Sequence, residues 1–190
     1  NIDFVKELPI AGLHIDLDRA PEQLEPVLSA IAPTKIGLSL GLVSGRNIWK
    51  TDLSAAIKLA QKAVDAIGAD RIQVASSSSL LHTPITVANE KKLKPEVADW
   101  FSFATEKCGE VATIGVALKD QAAAAQKLEA NAKSIAARRD FEKNSDPAVR
   151  ERVANIRPED LNRKSPFSQR REVQRQFLKL PPFPTTTIGS

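Results

Sequence analysis

The sequence predicts an α/β protein with a parallel sheet, on two observations. Short, nearly continuous apolar runs alternate in the first half with longer stretches whose apolar residues recur at helical spacing. Proline, aspartate and glycine stand where such helices would start and stop.

The first strand-like run is 9–17 (PIAGLHIDL). Pro21 then opens a helical pattern through Leu24, Val27, Leu28 and Ile31, which Pro33 ends. Residues 35–43 (KIGLSLGLV) have the composition of a strand buried on both faces. Thr51 and Asp52 can cap the next helix, which passes Leu53, Ile57, Ala60, Val64 and Ile67 and stops at Gly68. Residues 71–75 (RIQVA) give a third strand, followed by a serine run. Pro95 and Glu96 then open a long helix through Val97, Trp100, Phe101, Phe103, Val111 and Ile114. Strands that alternate with helices pair in parallel through right-handed crossovers. Pairing in sequence order puts every crossover helix on one face and leaves the other face apolar and uncovered. A barrel or a doubly wound sheet would supply the missing cover.

From residue 120 the character changes. Residues 120–139 are alanine-rich, with Leu128, Ala132 and Ile135 on one stripe. Pro147, Pro158 and Pro166 mark three further helix starts, and Pro181, Pro182 and Pro184 force an extended end. This reads as a helical linker. Of the net charge of +4, residues 138–179 hold 12 basic and 7 acidic side chains, so the rest is nearly neutral. That balance suits a solvated linker better than a nucleic-acid arm, because few aromatics are interleaved. No apolar run approaches a membrane span and no signal peptide is visible. A single cysteine, Cys108, leaves no internal disulfide; it reads as a small buried residue in mid-helix. These features fit a cytoplasmic protein. The absence of methionine, and a final 185–190 (TTTIGS) that reads as the start of a strand, suggest a piece of a longer chain.

Several residues could carry chemistry. His14 and Asp16 alternate, so they share a face; they could hold a metal or serve acid–base catalysis, or simply line the sheet end as a hydrogen-bonded polar pair. Ser76, Ser77, Ser78 and Ser79 lack a nucleophile elbow and read as turn serines, with His82 a loop or core histidine. Arg46, in the loop Ser44-Gly45-Arg46-Asn47, could grip an anion or brace the sheet rim by a salt bridge. Gly41 and Gly45 match no dinucleotide or phosphate-loop pattern.

Four stretches, LPIAGLHIDLDRAPEQL (8–24), LSLGLVSGRNIWKTDL (38–53), ASSSSLLHTPI (75–85) and RKSPFSQRREVQRQFLKLPPFPTTTIGS (163–190), together resemble the cobalamin-independent methionine synthases. That resemblance implies two (βα)8 TIM barrels. Residues 1–119 would be the last three strand–helix units of the first barrel, 120–182 the interdomain linker, and 183–190 the first strand of the second, catalytic barrel. It implies methyl transfer from 5-methyltetrahydropteroyltriglutamate to L-homocysteine, with zinc in the second barrel activating the thiol. His14, Asp16 and Ser78 resemble a vestige of that metal site with both cysteines replaced by oxygen ligands, so no metal ligand and no catalytic residue is expected here. The folate-contacting lysines are expected upstream of Asn1. Ile188, Gly189 and Ser190 are expected to contact the amino-acid part of homocysteine. The other reading, from composition, is a non-catalytic scaffold or binding fragment that uses the basic helical tail.

Overall fold

The computed structural model describes residues 2–141, 145–185 and 187–188. The chain divides into two compact units, Asn1–Phe141 and Glu142–Ser190.

In the first unit a short helix α1 (Ile2–Val5) precedes strand β1 (Gly12–Asp16), helix α2 (Leu24–Ile31), strand β2 (Gly37–Val43), helix α3 (Leu53–Ile67) and strand β3 (Ile72–Ser76). Then follow α4 (Pro95–Ala98), α5 (Ala104–Lys119) and α6 (Gln121–Arg139). The strands lie in the order β1-β2-β3, all parallel, as the alternation predicts. Leu13, Leu38 and Ile72 share one row across the sheet, and Ile15, Leu40 and Val74 the next. Rows of this parity face the same side. They pack with Leu24, Val27, Leu28 and Ile31 of α2, with Leu53, Ala56, Ala60, Ala63 and Ile67 of α3, and with Ile114 of α5 in one core. Full burial of each large aliphatic side chain contributes about 1.5–3 kcal/mol.

Local chemistry sets the ends of these elements. Pro21 starts a 3-10 turn, Pro21–Gln23, that leads into α2. Asp52 caps α3, its side chain accepting from the Ala55 N–H at 3.0 Å, and Gly68 ends that helix at φ 87°, a conformation that favours glycine. The Arg71 guanidinium donates to the carbonyls of Ile31 (2.9 Å), Ala32 (3.4 Å) and Ile36 (2.7 Å), so one cation ties the end of α2 to the entry of β2.

Several expectations are corrected. The uncovered face of the sheet is small and polar rather than apolar: its rows are Gly12–Gly37, His14–Ser39–Gln73 and Asp16–Gly41–Ala75. β2 is accordingly buried throughout only from Leu40 to Val43, with Gly37 and Ser39 half-buried. The long helix from Pro95 is broken. α4 is a single turn, and Phe101 instead forms an antiparallel bridge with Trp49. The backbone bonds Lys50 N–H to Trp100 O (3.0 Å) and Ser102 N–H to Ile48 O (2.8 Å) hold this stretch out of the helix. The helix restarts at Ala104 with Glu106 folded back, its carboxylate accepting from the N–H of Phe103 and Val87 and from the Thr86 hydroxyl. Cys108 is exposed, because α5 turns Lys107, Glu110, Thr113, Ile114 and Ala117 inward instead. On α6 the inward residues are Ala124, Asn131 and Ser134; Ala132 is exposed. The first compact unit, Asn1–Phe141, includes α6.

In the second unit α7 (Pro147–Ala154) begins at the expected Asp146-Pro147, where the aspartate accepts from Ala148 N–H at 2.8 Å. Pro158–Leu161 makes a 3-10 turn in place of an α-helix, and α8 (Phe167–Leu178) starts one residue after Pro166. These helices have no buried residues. Thr185, Thr187 and Ile188 belong to no strand. Among the described residues no helix is long and apolar enough to cross a membrane.

Candidate functional site

Parallel sheets present their chemistry at the carboxyl ends of the strands. Here those ends bring together Asp16 from β1, the loop 44–47 after β2 and the serines after β3. The Arg46 guanidinium reaches Asp16 Oδ2 at 2.6 Å and Ser77 Oγ at 3.3 Å. The Gly45 N–H also donates to Ser77 Oγ, at 3.2 Å. Asp16 Oδ1 accepts from the backbone N–H of Asp18 (3.1 Å) and Arg19 (3.0 Å). Burial works to raise the Asp16 carboxyl, but the Arg19 N–H and the Arg46 guanidinium outweigh it and hold the group below the ordinary carboxylate range. Arg46 is thus the rim brace of its two readings.

His14 sits one row further in. Its Nδ1 lies 2.9 Å from Ser39 Oγ and its Nε2 3.4 Å from the Ser77 carbonyl, so the ring links β1 to β2 and to the turn that follows β3. His14 and Asp16 share a face, as the alternation predicts, but each is engaged by other partners. Two glycines permit this crowding. A Cβ on Gly41 would lie 2.8 Å from Ile15 O and from Ser77 Cα, and one on Gly45 would lie 2.5 Å from Ser78 Oγ and 2.6 Å from Ser78 O. A groove of about 580 Å³, lined in part by Gly12, His14, Gly37, Ser39 and Gln73, runs over the polar face.

The serine run behaves as a turn. Ser76 Oγ donates to Ser78 O at 2.8 Å, and Ser79 Oγ accepts from Leu81 N–H at 3.2 Å. His82 is an exposed turn residue. Among the described residues no group of three or more His, Cys, Asp or Glu could hold a metal ion. The donors at the sheet mouth therefore do not fit zinc: both ring nitrogens of His14 face other groups, and Asp16 is paired with a guanidinium. Ile188, at 106% relative exposure, touches no core; Gly189 and Ser190 lie outside the described residues.

Sequence reasoning missed a second polar cluster. The strap 48–53 between β2 and α3 is bound almost atom by atom. Lys107 Nζ donates to Trp49 O at 3.1 Å, and Glu110 Oε1 accepts from Thr51 N–H at 3.1 Å. Asn131 accepts from Leu53 N–H at 3.1 Å and donates to Thr51 O at 2.8 Å, and Ser134 Oγ donates to Asp99 O at 2.8 Å. Lys107 is completely buried. Burial pushes its ammonium below the ordinary lysine range, opposed by the charges of Glu110 and Asp18. Outside the cluster Trp49 packs against Phe101 at a tilt of 38°, ring centroids 5.1 Å apart, under the Arg138 guanidinium at 4.2 Å. The signal was available: Phe103, Lys107, Glu110, Ile114 and Ala117 follow a core-facing helical stripe, and two of them are charged.

Comparison with known proteins adds to this geometry. Residues 1–68 match the family described as cobalamin-independent synthase, N-terminal domain. Over its whole length the chain is 48% identical to the probable 5-methyltetrahydropteroyltriglutamate–homocysteine methyltransferase of Schizosaccharomyces pombe, covering 25% of that protein. It is 49% identical to the 5-methyltetrahydropteroyltriglutamate–homocysteine methyltransferase of Saccharomyces cerevisiae, covering 24%, and 48% identical to that of Nitrobacter winogradskyi, covering 25%. The chain spans about a quarter of the length of these relatives. Residues 1–68 are thus similar to the N-terminal domain of the cobalamin-independent synthases, and the whole length of the chain is similar to about a quarter of proteins named 5-methyltetrahydropteroyltriglutamate–homocysteine methyltransferase.

Proposed function

We propose that this chain is part of an enzyme that moves the methyl group of 5-methyltetrahydropteroyltriglutamate to L-homocysteine, giving L-methionine in the cytoplasm. The observation that carries this is the near-50% identity along all 190 residues to proteins named for that reaction. The three strand–helix units are read as the last three of a (βα)8 barrel. Both outer edges of the sheet support that reading: β1 and β3 each pair on one side only among the described residues. An apolar groove of about 300 Å³, lined by Val64, Ile72, Val74, Val111 and Leu118, flanks β3 and suits a further packed element.

The zinc expected of such an enzyme is assigned to the part of the longer protein outside this chain, since the donors at the sheet mouth do not fit it. The contribution of this chain to the reaction is assigned to Ile188, Gly189 and Ser190. A glycine lets a ligand approach the backbone closely, and a serine offers both a hydroxyl and an N–H to the amino-acid end of homocysteine. The test is methionine formation by the full-length polypeptide from the two substrates, before and after zinc is stripped by a chelator and restored. No methionine formed with zinc restored would refute the assignment.

A further inference from the structure

Lys107 and Glu110 lie on consecutive turns of α5, both buried, and the Glu110 charge acts on the Lys107 ammonium. Each spends a hydrogen bond on the same strap, Lys107 on the Trp49 carbonyl and Glu110 on the Thr51 N–H. Glu110 Oε2 is buried without a protein partner. A buried single charge is costly, whereas two opposite charges in one pocket compensate each other. Two apolar side chains could have filled this space, leaving Trp49 O and Thr51 N–H to other partners. The charges therefore serve the strap rather than the packing of the core.

The strap carries the loop 44–47 on its upstream side, and with it Arg46, which closes the mouth against Asp16 and Ser77. We propose that Lys107 and Glu110 form a charge-compensated latch that fixes the strap 48–53 and so sets Arg46 at the mouth of the sheet. Asn131 and the Trp100–Ser102 backbone hold the same strap from the other sides. The latch couples the carboxyl end of the sheet to α5: a change at the mouth that pulls on the loop 44–47 must work against two buried charges.

The experiment is amide hydrogen exchange, read by peptide, in the full-length polypeptide and its variants Lys107→Met, Lys107→Gln, Glu110→Gln and Lys107→Met/Glu110→Gln. Lys107→Gln keeps a donor for Trp49 O without the charge, so it reports even where Lys107→Met fails to fold. Each single variant should speed exchange in peptides covering 44–53 by roughly tenfold or more, with the C-terminal half of α3 unchanged. The double variant should exchange more slowly than the product of the single effects, because it leaves no lone charge behind. Unchanged exchange in 44–53, or effects that simply multiply, would overturn the latch.

Discussion

Replacing Asp16 separates the two jobs that its carboxylate does. Oδ2 meets the Arg46 guanidinium, and Oδ1 receives the N–H groups of Asp18 and Arg19. The Asp16 side chain is 24% exposed and that of Arg46 41%, so the ion pair lies between the surface and the core and must be discounted for solvent screening. Asp16→Asn keeps an acceptor for the turn and loses the charge, a cost of about 1 kcal/mol. Asp16→Ala also strips the turn of its acceptor and should cost about 2–3 kcal/mol. Because the folded state holds this carboxyl below its ordinary value, the ionic contribution is complete above the unfolded value of about 3.9 and drains away as pH falls through the depressed folded value. The gap between the native protein and Asp16→Asn should therefore shrink from pH 7 to pH 3, while the gap between Asp16→Asn and Asp16→Ala stays. Urea unfolding of the full-length polypeptides at both pH values, read by pulse proteolysis with cleavage mapped to residues 12–76, measures both gaps. Equal midpoints for the Asn and Ala variants would refute the role of the turn. A gap between native and Asn variant that does not change with pH would refute the role of the charge.

Asn131→Leu should destabilise the first unit by about 2–4 kcal/mol, since it leaves Leu53 N–H and Thr51 O buried without partners; the same proteolysis assay reads it. Gly45→Ala should cost about 1–3 kcal/mol, because the new methyl would meet Ser78 and Ser79 atoms at 2.5–2.9 Å; a melting temperature equal to the native one would show that the serine turn yields freely. On the function proposed above, Ser190→Ala in the full-length polypeptide should raise the homocysteine concentration needed for half-saturation by about 2- to 10-fold and leave that for the folate unchanged, with Gly189→Val worse; steady-state kinetics with each substrate varied in turn decides this.

Much of the sheet was legible because its strands carry the apolar residues that periodicity detects. Leu13, Ile15, Leu38, Leu40, Ile72 and Val74 register as two in-line rows against the helices. The stop at Gly68 and the caps at Asp52 and Asp146 follow from local chemistry alone, so they were legible too. The break after α4 was not. Trp100, Phe101 and Phe103 have the spacing of a helix face, but the backbone of Ile48 and Lys50, 50–54 residues earlier in the chain, pairs with this stretch and holds it extended. A local pattern cannot report a partner that distant. The same limit explains Cys108 and Ala132, whose exposure follows from the polar groups the strap demands on the inward faces of α5 and α6.

At the mouth, the alternation of His14 and Asp16 placed both side chains correctly, whereas their partners depended on close approaches only coordinates reveal. Gly41 has backbone atoms of β1 and of the β3 end within 2.8 Å of where a Cβ would stand, and the His14 ring within 3.1 Å. An alanine there would push the imidazole away from Ser39 and Ser77. The glycine is therefore part of the polar network although it contributes no polar atom, and a search for chemistry-bearing side chains passes over it. The same reasoning bears on the rest of the face. Gly12 and Gly37 stand side by side, where any larger pair would narrow the groove above them. A face built of glycine, serine, histidine and glutamine cannot supply the packing density of a core by itself. Whatever lies opposite must either bring bulky side chains into those glycine positions or leave the groove to water. In both cases the histidine and the aspartate–arginine pair keep their present partners, because all of these lie within the three strands and their two following loops.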